Sequence, residues 1–330
     1  MSKIKIGIIG YGNWVKDAYI PALTYDGRAD IVAISAKSDG TIAAIKSQFG
    51  NTIDVYSNYE DLLNSPSIDA IMIAVPDALH GKIVMEALDS GKAIFYEPPI
   101  GHTRDLIPKV LEKLVNAPQI THADLELGLI PVIAEAAKLI KNEVIGKIQT
   151  VSIDLRSNWG PEPDQDTTNI NRLSLWYVHV LNILLNAIPK RVLIMDGHGT
   201  NGRRQSRSTG LFDYNGIWGE LKVNIDSVDK LVITIEIIGS KGDIQIDILT
   251  GELKLRTKER SLAEHFPALQ PYADWPGMRE SITHFLNAVE SGNPSFANAH
   301  LVAELQAIGM ASEESKDTGN WAVVKSMISG

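Results

Sequence analysis

The chain has 330 residues, about twice a typical domain, and 44% hydrophobic with 22% charged residues is ordinary globular composition, so two packed domains are expected. With 31 basic and 40 acidic residues the formal charge is −9, a sign that repels phosphate backbones and anionic lipid and argues against nucleic-acid and membrane-surface roles. Cysteine is absent, which excludes disulfides, thiolate metal sites and cysteine nucleophiles and fits a reducing cytoplasm.

Apolar runs at Ile4–Ile9, Ile31–Ala36, Ala70–Val75 and Ala93–Tyr96 read as strands buried on both faces. Amphipathic patterns at Thr41–Phe49, Ala78–Ser90 and Asp105–Asn116 read as the helices that alternate with them. This grammar implies right-handed βαβ units on a parallel sheet, with sites at the carboxyl ends of the strands. After about Thr121 the pattern changes. A helix is expected at Ile130–Asn142, a strand at Ile148–Leu155 and a helix at Leu173–Ile188. Short alternating strands punctuated by glycines fill Arg191–Arg256, and helices near Gly277–Ser291 and Ala299–Ser315 follow. The expected fold class is α/β: a doubly wound Rossmann domain over residues 1–121, then an α+β domain over 122–330 with a mostly antiparallel sheet. The greasiest stretch, Leu175–Ile188, is broken by His179, Asn182 and Asn186 and is too short for a bilayer, and the first residues lack a secretory pattern.

The most informative stretch is Gly10-Tyr11-Gly12-Asn13-Trp14-Val15, set between the first strand and a helical pattern. The first glycine allows a tight turn, the second lets the backbone approach a pyrophosphate, and the helix tip presents N–H groups to the anion. Gly10, Gly12, Asn13 and Trp14 are therefore expected at the pyrophosphate. Val15 replaces the usual third small residue, so the helix is expected slightly farther from the strand. The second strand ends Ser35-Ala36-Lys37-Ser38, without the carboxylate that receives the ribose hydroxyls of NAD. Ser35, Lys37 and Ser38 suit a 2′-phosphate, so NADP is favoured, with NAD as the alternative; the competing reading is a solvated turn.

The strand ends Val75-Pro76-Asp77-Ala78-Leu79-His80 and Tyr96-Glu97-Pro98-Pro99-Ile100, together with Ile238-Gly-Ser-Lys-Gly-Asp243, make the chain resemble the glucose–fructose oxidoreductase/inositol dehydrogenase (Gfo/Idh/MocA) family of NAD(P)-dependent oxidoreductases. The resemblance implies an open-faced sheet in the second domain, a small-molecule substrate over the nicotinamide, and a homodimer or homotetramer formed through that sheet. It places Val75, Pro76, His80, Glu97 and Pro98 on the nicotinamide side, and His179 on a helix that serves the substrate. Two departures stand out. Pro98 occupies the position of the family's proton-handling lysine, and Leu175 that of an aspartate four residues before the histidine.

Hydride transfer belongs to the cofactor, and the protein must position the acceptor and exchange one proton. His179 is the leading candidate, followed by Tyr177, His102 and His122, with Asp124, Arg156 and Trp159 as further substrate contacts. The basic stretch at Arg203, Arg204 and Arg207 reads as a solvated or subunit-contact loop. No metal-ligand spacing or nucleophile elbow is present. A C=O or C=N acceptor suffers less from the lost ammonium than an alcohol donor does, so an NADPH-dependent reductase is expected. A non-catalytic NADP-binding sensor and a sugar dehydrogenase with a rebuilt relay are the alternatives.

Overall fold

The computed structural model describes residues 2–160, 166–197, 206–267 and 275–328. The chain divides into two compact units, Met1–Asp124 with Pro271–Val302 and Leu125–Gln270 with Ala303–Gly330.

The first unit is built on six parallel strands: β1 (Ile4–Ile9), β2 (Ala29–Ser35), β3 (Asp54–Tyr56), β4 (Ala70–Ile73), β5 (Ala93–Tyr96) and β6 (Thr121–Ala123). They lie in the order β3-β2-β1-β4-β5-β6. The order reverses between β1 and β4, and at that switch point the carboxyl ends of two neighbouring strands open a crevice. The connecting helices are α1 (Ile20–Asp26), α2 (Asp39–Phe49), α3 (Tyr59–Leu63), α4 (Asp77–Asp89) and α5 (Leu106–Val115). Helices on both faces explain why β4 is apolar and buried at every position.

In the second unit a 3-10 turn at Glu126–Leu129 leads into α6 (Pro131–Lys141), β7 (Ile148–Ser157) and α7 (Asn169–Leu185). The strands β8 (Arg191–Gly197), β9 (Arg207–Asp213), β10 (Trp218–Asn224), β11 (Leu231–Gly239), β12 (Gly242–Asp247), β13 (Glu252–Thr257) and β14 (Ser261–His265) follow. The chain then forms α8 (Pro276–Ser291), which belongs to the first unit, α9 (Ala299–Thr318), within which the division falls, and β15 (Ala322–Val323). The second sheet has nine strands in the order β14-β13-β12-β11-β7-β10-β9-β8-β15. Its pairings are antiparallel except β7 with β10. Along β7, Val151, Ile153, Leu155 and Ser157 are buried while Ser152, Asp154 and Arg156 alternate with them on the more open face.

Helix α7 begins four residues before its apolar pattern does, because its polar first turn is satisfied by α9. The Thr168 N–H donates to Glu313 Oε1 at 2.7 Å, Asn171 Nδ2 donates to the same oxygen at 2.7 Å, and Gln306 Nε2 donates to Asn171 Oδ1 at 2.5 Å. All of these groups are buried, where an unmet hydrogen bond is costly.

In the first unit α8 buries Met278, Ile282, Phe285 and Leu286 in the cluster that contains Tyr19 and Phe95. Arg28 holds its outer edge, with Nη1 donating to Glu290 Oε2 at 2.7 Å and Nε to Asp26 Oδ1 at 2.7 Å, while Thr283 Oγ1 donates to Asp26 Oδ2 at 2.8 Å. These donors hold the Asp26 carboxyl below its usual range. Arg28 is partly exposed, so Arg28→Ala is expected to cost about 1 kcal/mol. The check is a lower urea midpoint with an unchanged m-value.

Candidate nucleotide and substrate sites

The turn after β1 is shaped by close approach. Gly10 has a φ of 101°, and a Cβ there would lie 1.9 Å from the carbonyl oxygen of Ala74. Its N–H donates to Ser35 O at 2.9 Å, so the turn is tied to the end of β2 as well. Gly12 faces open space, with nothing within 4 Å of the position its Cβ would take. Val15 is wholly buried, and the helix begins there as a π turn, Val15–Tyr19, wider than an α-helix, before α1 continues it. A backbone bare at both glycines and followed by a helix tip fits a diphosphate.

Around this turn Glu97 gathers two donors on one oxygen. Trp14 Nε1 and Tyr19 Oη each donate to Glu97 Oε1 at 2.6 Å. Glu97 follows β5, so the bonds join the carboxyl edge of the sheet to the helix after the glycines. The Trp14 indole also meets Trp275 edge-on at 5.0 Å. His80, on the first turn of α4, is buried with Nε2 at 2.5 Å from Val75 O and Nδ1 at 3.2 Å from Pro99 O. It bridges the segments carrying Val75 and Pro76 on one side and Pro98 on the other, and the Pro98–Pro99 bond is cis.

At the end of β2 the three chosen residues differ in availability. Ser35 is buried, Ser38 caps α2 by accepting from the Thr41 N–H at 3.2 Å, and Lys37 is exposed. The cation is therefore the group there that a ligand meets first.

His102 lies in the loop before α5, half-buried, with Nδ1 enclosed and without a hydrogen-bond partner. His122, on β6, is wholly buried between Phe95, stacked at 4.9 Å, and two serines. Ser295 Oγ lies 2.5 Å from Nδ1 and Ser281 Oγ 3.0 Å from Nε2, while Ser281 Oγ donates to Asp124 Oδ1 at 2.7 Å. Because Ser281 spends its proton on Asp124, it accepts from His122 Nε2–H, and Ser295 then donates to Nδ1. The ring is neutral and satisfied, and burial lowers its pKa to about 3. This geometry ties β6 to α8 and gives His122 and Asp124 a structural task.

In the second unit α7 carries both other candidates. Tyr177 is buried, and desolvation, reinforced by the Glu126 carboxylate, pushes its phenol far up, so it stays protonated. His179 is 8% exposed, and burial lowers its pKa to about 4. Glu126, in the 3-10 turn, accepts from Trp176 Nε1 at 3.0 Å and is itself buried. No sequence spacing marks this pair, because the partners stand fifty positions apart. Arg156 turns to the sheet face away from the buried row of β7, where Asp229 Oδ2 lies 2.9 Å from Nη1 and Asp154 Oδ2 3.5 Å from Nε. Trp159 is half exposed beyond the strand's end. The register thus sets Arg156 apart from the residues on the covered face. Arg203 and Arg204 lie outside the described residues. Among the described residues no three potential ligands are grouped to hold a metal, and no helix is long and apolar enough to cross a membrane.

A parallel sheet in this order, with a side-chain-free turn and helix tip at its switch point, defines a dinucleotide-binding protein of the doubly wound class. Residues 4–123 match the family described as "Oxidoreductase family, NAD-binding Rossmann fold", GFO_IDH_MocA. The D-xylose 1-dehydrogenase (NADP(+)) 2 of Haloferax volcanii is 22% identical over 95% of this chain and 97% of its own. The fold also resembles levoglucosan dehydrogenase in complex with NADH and levoglucosan, with TM-score 0.80, 17% identity and 98% of this chain and 99% of that one covered. A further neighbour is KijD10, a 3-ketoreductase from Actinomadura kijaniata in complex with TDP-benzene and NADP, with TM-score 0.79, 18% identity and 95% and 98% covered. Residues 4–123 therefore belong to this oxidoreductase family, and the chain is an NAD(P)-dependent oxidoreductase.

Two outcomes follow from this geometry. Gly10→Ala is expected to weaken NADPH and NADH binding by about a hundredfold or more, measured by calorimetry, because its methyl would occupy the space of the Ala74 carbonyl. The folded state resists protonating His122 until about pH 3, whereas the unfolded chain takes up that proton near the ordinary value of 6.5. The unfolded state binds more protons between these limits, so stability is full above pH 6.5 and falls on acidification, by up to about 1.4 kcal/mol per pH unit. His122→Asn should flatten that slope in urea titrations across pH 6.5 to 4.

Proposed function

We propose that this oxidoreductase is an NADPH-dependent reductase acting on the C=O or C=N carbon of a small polar substrate, with His179 serving the substrate's heteroatom. The observation that carries this reading is the setting of His179 on α7, buried, with Nδ1 enclosed and without a partner and the buried apolar Leu175 one turn earlier. In a reversible hydride transfer the proton rests either on the substrate or on the protein's base. Burial lowers the His179 pKa to about 4, so the ring is neutral at neutral pH and a weak acceptor of an alcohol's proton. Pro98 and Leu175 add no group that would strip a proton from an alcohol. When bound, the nicotinamide cofactor supplies the hydride. As the substrate's π pair passed to its heteroatom, that atom would lie at the His179 edge and would take its proton from solvent water, the hydroxide left behind being neutralised by the bulk.

The choice of NADPH is supported by Lys37, which stands exposed at the end of β2 with no carboxylate beside it in Ser35-Ala36-Lys37-Ser38. Assembly as a homodimer or homotetramer through the nine-stranded sheet, in the cytoplasm, completes the proposal. The name of the xylose-oxidising relative favours a second reading, sugar oxidation with a relay rebuilt around His179.

A substrate panel separates the two. NADPH is expected to be consumed with carbonyl or imine substrates, with NADH at least about tenfold less effective, and polyols with NADP to give little turnover. Lys37→Ala should erase about tenfold of the NADPH preference while leaving NADH kinetics unchanged. His179→Gln should lower kcat by about a hundredfold or more. Ready polyol oxidation with no carbonyl or imine reduction would establish the second reading instead.

A further inference from the structure

His179 is held in place without a hydrogen bond. Its Nδ1 is enclosed with no partner, whereas Nε2 is not enclosed in this way. What fixes the ring is packing against the 3-10 turn. A Cβ on Gly128 would lie 3.0 Å from Cδ2 and 3.1 Å from Nε2 of His179, and 2.7 Å from Cδ1 of Ile183. Gly128 does not adopt the left-handed backbone that favours glycine, so space, not conformation, is what a side chain there would violate.

We infer that Gly128 is a positioning residue: its bare backbone seats the Cδ2–Nε2 edge of His179 so that the ring stands as the neutral Nε2–H form and donates a hydrogen bond to the substrate's heteroatom. The inference rests on the reading of His179 given above. A neutral imidazole carries one N–H. Placed on Nδ1, that donor would be buried with nothing to receive it, whereas on Nε2 it can reach water or substrate. A carboxylate one turn earlier on α7 would change the outcome, because it would accept from Nδ1–H and leave Nε2 as a base. Leu175 stands there, apolar and wholly buried. A neutral imidazole donor polarises a carbonyl without becoming charged, which is the service a hydride acceptor needs.

The test is 15N NMR of histidine-labelled full-length protein from pH 5.5 to 8.5, with His179→Gln assigning the signals. The neutral Nε2–H pattern is expected throughout, and an imidazolium or Nδ1–H pattern overturns the inference whether or not the substrate panel turns over. In kinetics, Gly128→Ala is expected to lower kcat by about tenfold to a hundredfold, with KM for NADPH within about twofold and the His179 signals displaced. Adding Ile183→Val removes the closest clash but leaves the histidine contact, so kcat should stay low, and recovery would overturn the inference. A panel with no turnover but the Nε2–H pattern intact would sink the proposed reduction alone.

Discussion

The first unit depends on one exclusion. At the end of β1 the chain runs so close to the carbonyl of Ala74 that no side chain fits at Gly10, and the backbone must turn with a φ of 101°. That approach is possible because Ala74 N–H donates to Ile9 O at 3.0 Å and Gly10 N–H to Ser35 O at 2.9 Å, so β1, β2 and β4 are registered where the strand order reverses. The following helix is oriented by a second tie, the two donors of Trp14 and Tyr19 on Glu97. The turn is thereby held at both ends, at Gly10 by β2 and at Trp14 and Tyr19 by Glu97.

Two buried histidines show how hydrogen-bond accounting separates roles. His122 has both ring nitrogens engaged in a chain running from Ser295 to Asp124, and it joins β6 to α8. His179 is nearly as buried yet has an enclosed nitrogen with no partner. Folding alone gives no reason to bury an unmet polar group, which costs on the order of 1–3 kcal/mol. The contrast is in the hydrogen bonding of the two rings: His122 is fully engaged, whereas His179 shares its enclosed, unmet nitrogen with other buried groups such as Ser157 and Ser206.

Much of the first unit was legible in the sequence because strands covered on both faces are continuously apolar, as in Ile4–Ile9 and Ala70–Ile73. The glycine turn was legible because its spacing has a steric cause. β3 and α3 were not, being three and five residues long with no period to read. The start of α7 was hidden because Thr168 and Asn171 look like loop residues until Glu313 and Gln306, more than 130 positions away, satisfy them. The π turn at Val15 and the seat at Gly128 were equally hidden, since both depend on what packs against the residue. Which face of β7 Arg156 takes was likewise not legible, because one step along the strand exchanges the covered face for the open one.

Leu175 bears on the proton affinity of His179, one turn along the same helix. A carboxylate beside His179 would raise its pKa and make it a base, and a nearby ammonium would lower the pKa of a substrate alcohol, both of which promote oxidation. Removing the two leaves an imidazole whose basicity is set by desolvation, and desolvation lowers it to about 4. Pro98 and Leu175 therefore both lack the charged group that would make the imidazole a strong base, and His179 is left as a neutral ring whose contacts are apolar.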